Sequence, residues 1–108
     1  MSNGINKLTE TQTLRQFGKF SLDPQKKMLW RGESAVQLPL KAVEILCVLI
    51  ERRGNLVTKD EILKAVWKDT VVEESNLTNN ISLLRKLFKD CGEANFIETI
   101  PSRGYRFV

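Results

Sequence analysis

The chain has 108 residues, 42% of them hydrophobic, and carries 17 Lys and Arg against 13 Asp and Glu, a formal charge of +4 with a pI near 9.3. That length holds one domain with one modest core, and the charge is compatible with a polyanionic partner without requiring one. There is no histidine, which excludes Ser–His and Cys–His catalytic pairs and any His-containing zinc site.

Cys47 and Cys91 lie far apart without CxxC spacing, so a cysteine metal cluster is excluded as well. Cys47, inside an apolar run, reads as a buried small hydrophobe; Cys91, in a polar loop, reads as a thiol and points to a reducing cytoplasm. No apolar run approaches the ~18 residues needed to span a membrane. The opening Met1-Ser2-Asn3-Gly4-Ile5-Asn6-Lys7 is too polar for a signal peptide. The expectation is a cytoplasmic segment that is not an enzyme and holds neither metal nor cofactor.

In chain order, residues 1–14 are polar and aperiodic and read as a flexible lead-in to a domain over 15–108. Strand signals start at Phe17–Leu22, with Phe20 and Leu22 on one face. Asp23-Pro24 turns the chain into Lys27–Arg31, with Met28 and Trp30 on one side, and Gly32-Glu33 turns it again before Ala35–Leu38. These three strands make a small antiparallel sheet of scaffold character, and Trp30 and Trp67 are expected in the core.

Pro39 opens a helix over Leu40–Arg53 that is apolar nearly all round and therefore central. Arg52 and Arg53 are placed to complement its C-terminal dipole, and Gly54 suits its end. Leu56-Val57 is a short extended link. Thr58 and Glu61 have capping-box spacing and start a second helix with Ile62, Leu63, Val66 and Trp67 on one face. After the loop Lys68–Glu74, Ser75 is the expected N-cap of a third helix reaching Lys89. A last extended run, Phe96–Ile100, turns through Pro101-Ser102-Arg103-Gly104 into Tyr105–Val108. There Pro101 stiffens the turn and Gly104 supplies backbone freedom.

The third helix is the informative one. Leu77, Ile81, Leu84 and Phe88 fall at i, i+4, i+7 and i+11, a single apolar stripe. Ser75, Asn79, Ser82 and Lys86 lie opposite, with Asn76 and Leu83 beside them, and between Ser75 and Lys89 there are three cations and no acid. A half-buried helix with an amide, hydroxyl and cationic outer face suits a DNA major groove, and a basic hairpin after it would reach the neighbouring backbone. Asn79 is the strongest single base-contact candidate, since an amide pairs with adenine N6 and N7. Leu83 is balanced between a thymine methyl and protein cover. Arg85 is balanced between a phosphate and an ion pair with Glu61 or Glu98. Tyr105 is expected to pack the wing base.

Three helices followed by a β-hairpin form a winged helix, a helix-turn-helix variant. The chain also resembles a family, the OmpR/PhoB-type effector domains, and within it the CadC/ToxR-like transcriptional regulators. The resemblance rests on Phe17-Gly18-x-Phe20-x-Leu22-Asp23, Arg31-Gly32, Leu38-Pro39-Leu40-Lys41-Ala42-x-Glu44-x-Leu46 and Gly54-x-x-Val57-Thr58-Lys59-Asp60-x-Ile62-Leu63. It continues through Val66-Trp67, Val71-Val72-Glu73, Asn79-x-Ile81-x-x-Leu84-Arg85-Lys86 and Ile97-x-Thr99-Ile100-Pro101-x-Arg103-Gly104-Tyr105-Arg106-Phe107. The fold it implies is α+β: a four-stranded N-terminal antiparallel sheet, three helices and a C-terminal wing.

The resemblance further implies transcriptional regulation through promoter DNA, with self-association on tandem half-sites. It places Ser75, Asn76, Asn79, Asn80, Ser82, Leu83, Arg85 and Lys86 on the helix facing DNA, and Thr99, Pro101, Arg103 and Tyr105 on or beside the wing. The loop Lys68, Asp69, Thr70, Val71, Val72, Glu73 and Glu74 matches a segment that touches RNA polymerase in response-regulator relatives. Two departures, Ser82-Leu83 and Pro101 where many relatives carry basic residues, mean that base preference does not transfer. Because the chain stops at the wing's last strand, a longer parent is expected, with a membrane anchor as in part of the family. The competing readings are a winged helix serving protein interaction, which would call for a hydrophobic or acidic third-helix face, and RNA binding, for which no aromatic-bearing sheet motif is present.

Overall fold

The structure, a computed structural model, describes residues 14–108; most of the expected lead-in therefore lies outside the described residues. The chain divides into two units, one ending at Gln37 and one running Leu38–Val108.

The first unit is a four-stranded antiparallel sheet of β1 (Arg15–Phe17), β2 (Phe20–Asp23), β3 (Met28–Arg31) and β4 (Ser34–Ala35), paired in that order. The run expected as one strand from Phe17 is two, because Gly18 takes φ 53 and Gly18-Lys19 turns the chain. Phe17 then sits opposite Phe20, and their rings stack at 5.3 Å. Asp23 organises the next turn, its carboxylate accepting the amides of Gln25 (3.0 Å) and Lys26 (3.1 Å). Phe17, Phe20, Leu22 and Leu29 are buried. Alternation along β3 gives the core position to Leu29, leaving Met28 exposed and Trp30 half-buried, so Trp30 is not the core residue expected.

The second unit holds α1 (Leu40–Glu51), β5 (Leu56–Thr58), α2 (Lys59–Val66), α3 (Glu74–Asp90), β6 (Ile97–Ile100) and β7 (Gly104–Phe107). Pro39 caps α1, its carbonyl accepting from Ala42 and Val43. Ala42, Val43, Ile45, Leu46, Leu49 and Ile50 are buried, and α1 packs on α2, α3 and β7 as the central helix should. Cys47 is half-buried, less covered than expected. The helix stops at Glu51, so Arg52 and Arg53 fall beyond its last turn. Arg52 pairs instead with Glu61, and Arg53 lies over the Phe107 ring at 5.2 Å.

Leu56-Val57 is more than a link. It belongs to β5, which pairs antiparallel with β7 and makes a three-stranded sheet of order β5-β7-β6. Gly104 faces Thr58 in that register, and a Cβ on it would stand 2.1 Å from the Val57 carbonyl oxygen. Its small size allows the close approach of β5 and β7. The capping box is present as expected: Thr58 Oγ1 accepts the Glu61 amide, and Glu61 Oε1 accepts the Thr58 amide, each at 3.1 Å. At the other end of α2 Trp67 is half-buried, with the Lys41 ammonium 5.7 Å from its ring centre. Helix α3 starts at Glu74, and its N-cap is Glu73 in place of the expected Ser75, without a side-chain cap. Its stripe of Leu77, Ile81, Leu84 and Phe88 is buried as read from the spacing; each such side chain contributes roughly 1.5–3 kcal/mol. Phe96 joins Phe88 edge-on at 5.2 Å to Phe107, stacked at 5.8 Å. The architecture is an α+β winged helix-turn-helix.

Candidate nucleic-acid interface

Helix α3 divides cleanly into a buried stripe and an open face. Ser75, Asn76, Asn79, Ser82, Leu83 and Lys86 are all exposed, while Asn80 and Arg85 are half-buried at its flanks. Two amides on it are turned back onto the helix: Asn76 Nδ2 donates to the Glu73 carbonyl (3.2 Å) and Asn80 Nδ2 to the Asn76 carbonyl (2.7 Å). The Asn79 side chain has no hydrogen-bond partner among the described residues, so both ends of its amide remain available. Lys86 pairs with Asp90 at 2.9 Å across an exposed turn. Such a pair is weak and salt-sensitive and does not withhold the ammonium from an anion. The helix thus carries an acid at each end, Glu74 and Asp90, outside the acid-free span between Ser75 and Lys89.

Arg85 is engaged by the wing. Its Nη2 donates to the Ile97 carbonyl (2.8 Å) and to Thr99 Oγ1 (2.7 Å), and its guanidinium lies 5.9 Å from the Tyr105 ring. Of the two readings of Arg85, the ion pair with Glu61 or Glu98 is absent, since Arg52 holds Glu61 and Arg106 holds Glu98. Arg85 binds α3 to β6 through a carbonyl and a hydroxyl.

The wing is β6, β7 and the turn Pro101-Ser102-Arg103 between them, closed by the Arg103 amide donating to Ile100. All three turn residues are exposed. The left-handed residue is Ser102, φ 64, and not Gly104, whose role is close approach. Arg103 stands at the tip with no side-chain partner among the described residues. Thr99 is exposed; Tyr105 is buried at the wing base, as expected.

Lys59 escaped the sequence reading. Its backbone amide donates to the Arg103 carbonyl (3.0 Å), and its ammonium bonds Glu74 Oε2 at 2.8 Å, so it touches the wing turn and the start of α3 together. The Glu74 hydrogen bond, aided by the charges of Glu74 and Tyr105, holds the Lys59 ammonium above its ordinary range. In sequence Lys59 reads only as the residue after a helix cap, since both partners are distant along the chain. The loop before α3 leaves Val71 fully exposed beside a cleft of about 380 Å³ lined by Asp60, Leu63, Lys64, Trp67, Val71 and Val72. Among the described residues there is no cluster of acids and cysteines fit for a metal, and no helix is long and apolar enough to cross a membrane.

Residues 32–107 match the family described as transcriptional regulatory protein, C terminal. The chain belongs to this family. It is 37% identical over 91 residues to the transcriptional regulator HilA of Salmonella typhimurium, covering 84% of this chain and 16% of that protein. The chain therefore spans only a small part of that relative's length. Among solved members, the DNA-binding domain of Escherichia coli CadC superposes with a TM-score of 0.77 at 28% identity, over 89% of this chain and 91% of that one. The RstA DNA-binding domain of Klebsiella pneumoniae, solved with the RstA box, gives 0.71 at 26% identity over 88% and 96%. As a transcriptional regulatory C-terminal domain, the chain carries its exposed amide on α3 and its exposed guanidinium on the wing.

Proposed function

We propose that this domain binds duplex DNA as the effector module of a bacterial transcriptional regulator, with α3 in the major groove and the wing over the adjacent minor groove. The observation that carries the reading is the coincidence of two exposed side chains without a polar partner among the described residues, the Asn79 amide on α3 and the Arg103 guanidinium on the wing. An amide at the helix centre reads a base edge, and a guanidinium on a hairpin tip fits a narrow A·T-rich minor groove. Ser75, Asn76, Asn80, Ser82, Leu83 and Lys86 fill the helix side of the interface, and Thr99 and Pro101 the wing side. Arg85 and Tyr105 set the wing against α3, with the Thr99 hydroxyl between Arg85 and the phosphates.

A module of this size buries on the order of 600–1,000 Å² on DNA, so firm binding takes two copies on tandem half-sites. We also propose that the loop Lys68–Glu74 is the face that meets RNA polymerase, a reading supported by the fully exposed Val71 beside its cleft. The module works in the cytoplasm, whether or not a parent protein is anchored in a membrane.

Fluorescence anisotropy with duplex DNA across a salt series tests this reading. Lys86→Ala should weaken binding to all sequences alike and flatten the salt slope by about one unit. Asn79→Ala should relax preference at one base position, by about 1–3 kcal/mol of discrimination. Arg103→Ala should reduce binding most at A·T-flanked sites while leaving stability within about 0.5 kcal/mol. Affinity that ignores salt between ~50 and ~200 mM would overturn the reading.

A further inference from the structure

We infer that Lys59 is a positioning residue that fixes the span between α3 and the wing, and with it the match of the domain to a given duplex. Lys59 is the first residue of α2, yet its two bonds leave that helix in different directions. The backbone amide holds the carbonyl of Arg103, the tip residue of the wing turn. The ammonium holds Glu74 in the first turn of α3, next to Ser75 and Asn76. Glu73 offers no side-chain cap there, so no local bond of that kind orients the start of α3. The turn is likewise lightly held, by the Arg103–Ile100 bond across a left-handed Ser102. One residue therefore links the wing turn to the first turn of α3, the two ends of the candidate interface.

Arg85 makes a second connection between α3 and the wing, but lower down, to Ile97 and Thr99 of β6. With Arg85 alone, the helix and hairpin stay joined while their outer ends are loosely set. A groove contact tolerates little misplacement, so the loss appears in discrimination between duplexes before it appears in general affinity. With its side chain partly covered and its ammonium on Glu74, Lys59 is not counted among the phosphate contacts.

This inference rests on the DNA-binding reading above, so one arm of its test needs no DNA. The variants are Lys59→Met, which keeps the stem, Lys59→Arg, which can still reach the carboxylate, and Glu74→Gln. In the free protein, amide hydrogen exchange at Lys59 should quicken in Glu74→Gln, because the hold on the first turn of α3 reaches the wing turn through Lys59. On DNA, two probes are used: a 30-base-pair duplex selected from a random pool by the wild-type domain, and the unselected pool. Lys59→Met and Glu74→Gln should each lower the preference for the selected duplex about tenfold, the double variant no further, with Lys59→Arg restoring most of it. The salt slope on the unselected pool should stay unchanged.

A salt slope lower by one unit with equal loss on both probes would make Lys59 a phosphate contact and overturn the inference. So would an unchanged preference, or a loss that simply follows the melting temperature across the variants. A gain on both probes in Glu74→Gln would show that Glu74 merely repels DNA, and would overturn it too. Should the wild-type domain retain no duplex, the DNA reading itself has failed, and the exchange arm still decides whether Lys59 ties the turn to the helix.

Discussion

The two helices of the helix-turn-helix begin in opposite ways. Helix α2 is closed locally: Thr58 and Glu61 satisfy each other's backbone groups, and Arg52 adds a second bond to the Glu61 carboxylate. Helix α3 begins on Glu73 without any side-chain cap, and its first turn is held from outside by Lys59. The supporting helix is thus fixed by its own sequence, and the helix offered to a partner by tertiary contact. A start that is not closed on itself keeps its outward groups open, at the cost of local stability. The difference shows how a scaffold element and a binding element can share one motif.

The frame beneath α2 is the most sensitive place to break this contrast. Gly104→Ala puts a methyl group 2.1 Å from the Val57 carbonyl, so β5, which delivers Thr58 to the cap, must move off β7. A loss on the order of 3 kcal/mol is expected in urea unfolding. Thr58→Ala should cost about 1 kcal/mol, because the Glu61 amide loses its acceptor. In a domain of this size that lowers the melting temperature by roughly 4–8 °C.

Acid should open the same cap reversibly. The Arg52 guanidinium, then the Thr58 amide and hydroxyl, bring the Glu61 carboxyl from its ordinary 4.5 down to about 2. A depressed acid contributes its stability above the ordinary value and loses it as pH falls through the folded one. A small decline in melting temperature is therefore expected between about pH 4.5 and about pH 2. Glu61→Gln should flatten it; an equal decline in that variant assigns the acid sensitivity to other groups. The smallest effect sharpens the contrast from the other side. Glu73→Asp offers α3 the cap it lacks and should raise stability by about 0.5 kcal/mol, measured by chemical denaturation.

The buried stripe of α3, the Thr58–Glu61 box and the exposed face with Asn79 were all legible in the sequence, because each depends on spacing within one or two helical turns. What stayed hidden depends on partners remote in the chain. The strand at Leu56–Thr58 takes its identity from β7, Lys59 from Arg103 and Glu74, and Arg85 from Ile97 and Thr99. Gly104 was correctly singled out and wrongly explained, since turn chemistry suggests a flexible glycine where the structure needs an absent side chain. The cap expected at Ser75 falls two residues earlier, on Glu73, because the helical turn already begins at Glu74.

The middle position of β7 in its sheet has a consequence for the order of assembly. One neighbour, β6, is reached through a tight turn, but the other, β5, was laid down before α2 and α3 in the chain. Closing that distant pair is slow compared with forming the helices, since the loop entropy must be met before the contacts form. During synthesis α1, α2 and α3 can gather while β5 still exposes an unpaired edge. Only when Gly104–Phe107 arrives does that edge close, with Gly54 donating to Phe107 and Lys59 to Arg103. By this topology the pairing that sets the wing beside α2 and α3 is expected late in folding, and a chain caught before it would have helices without a closed β5-β7-β6 sheet.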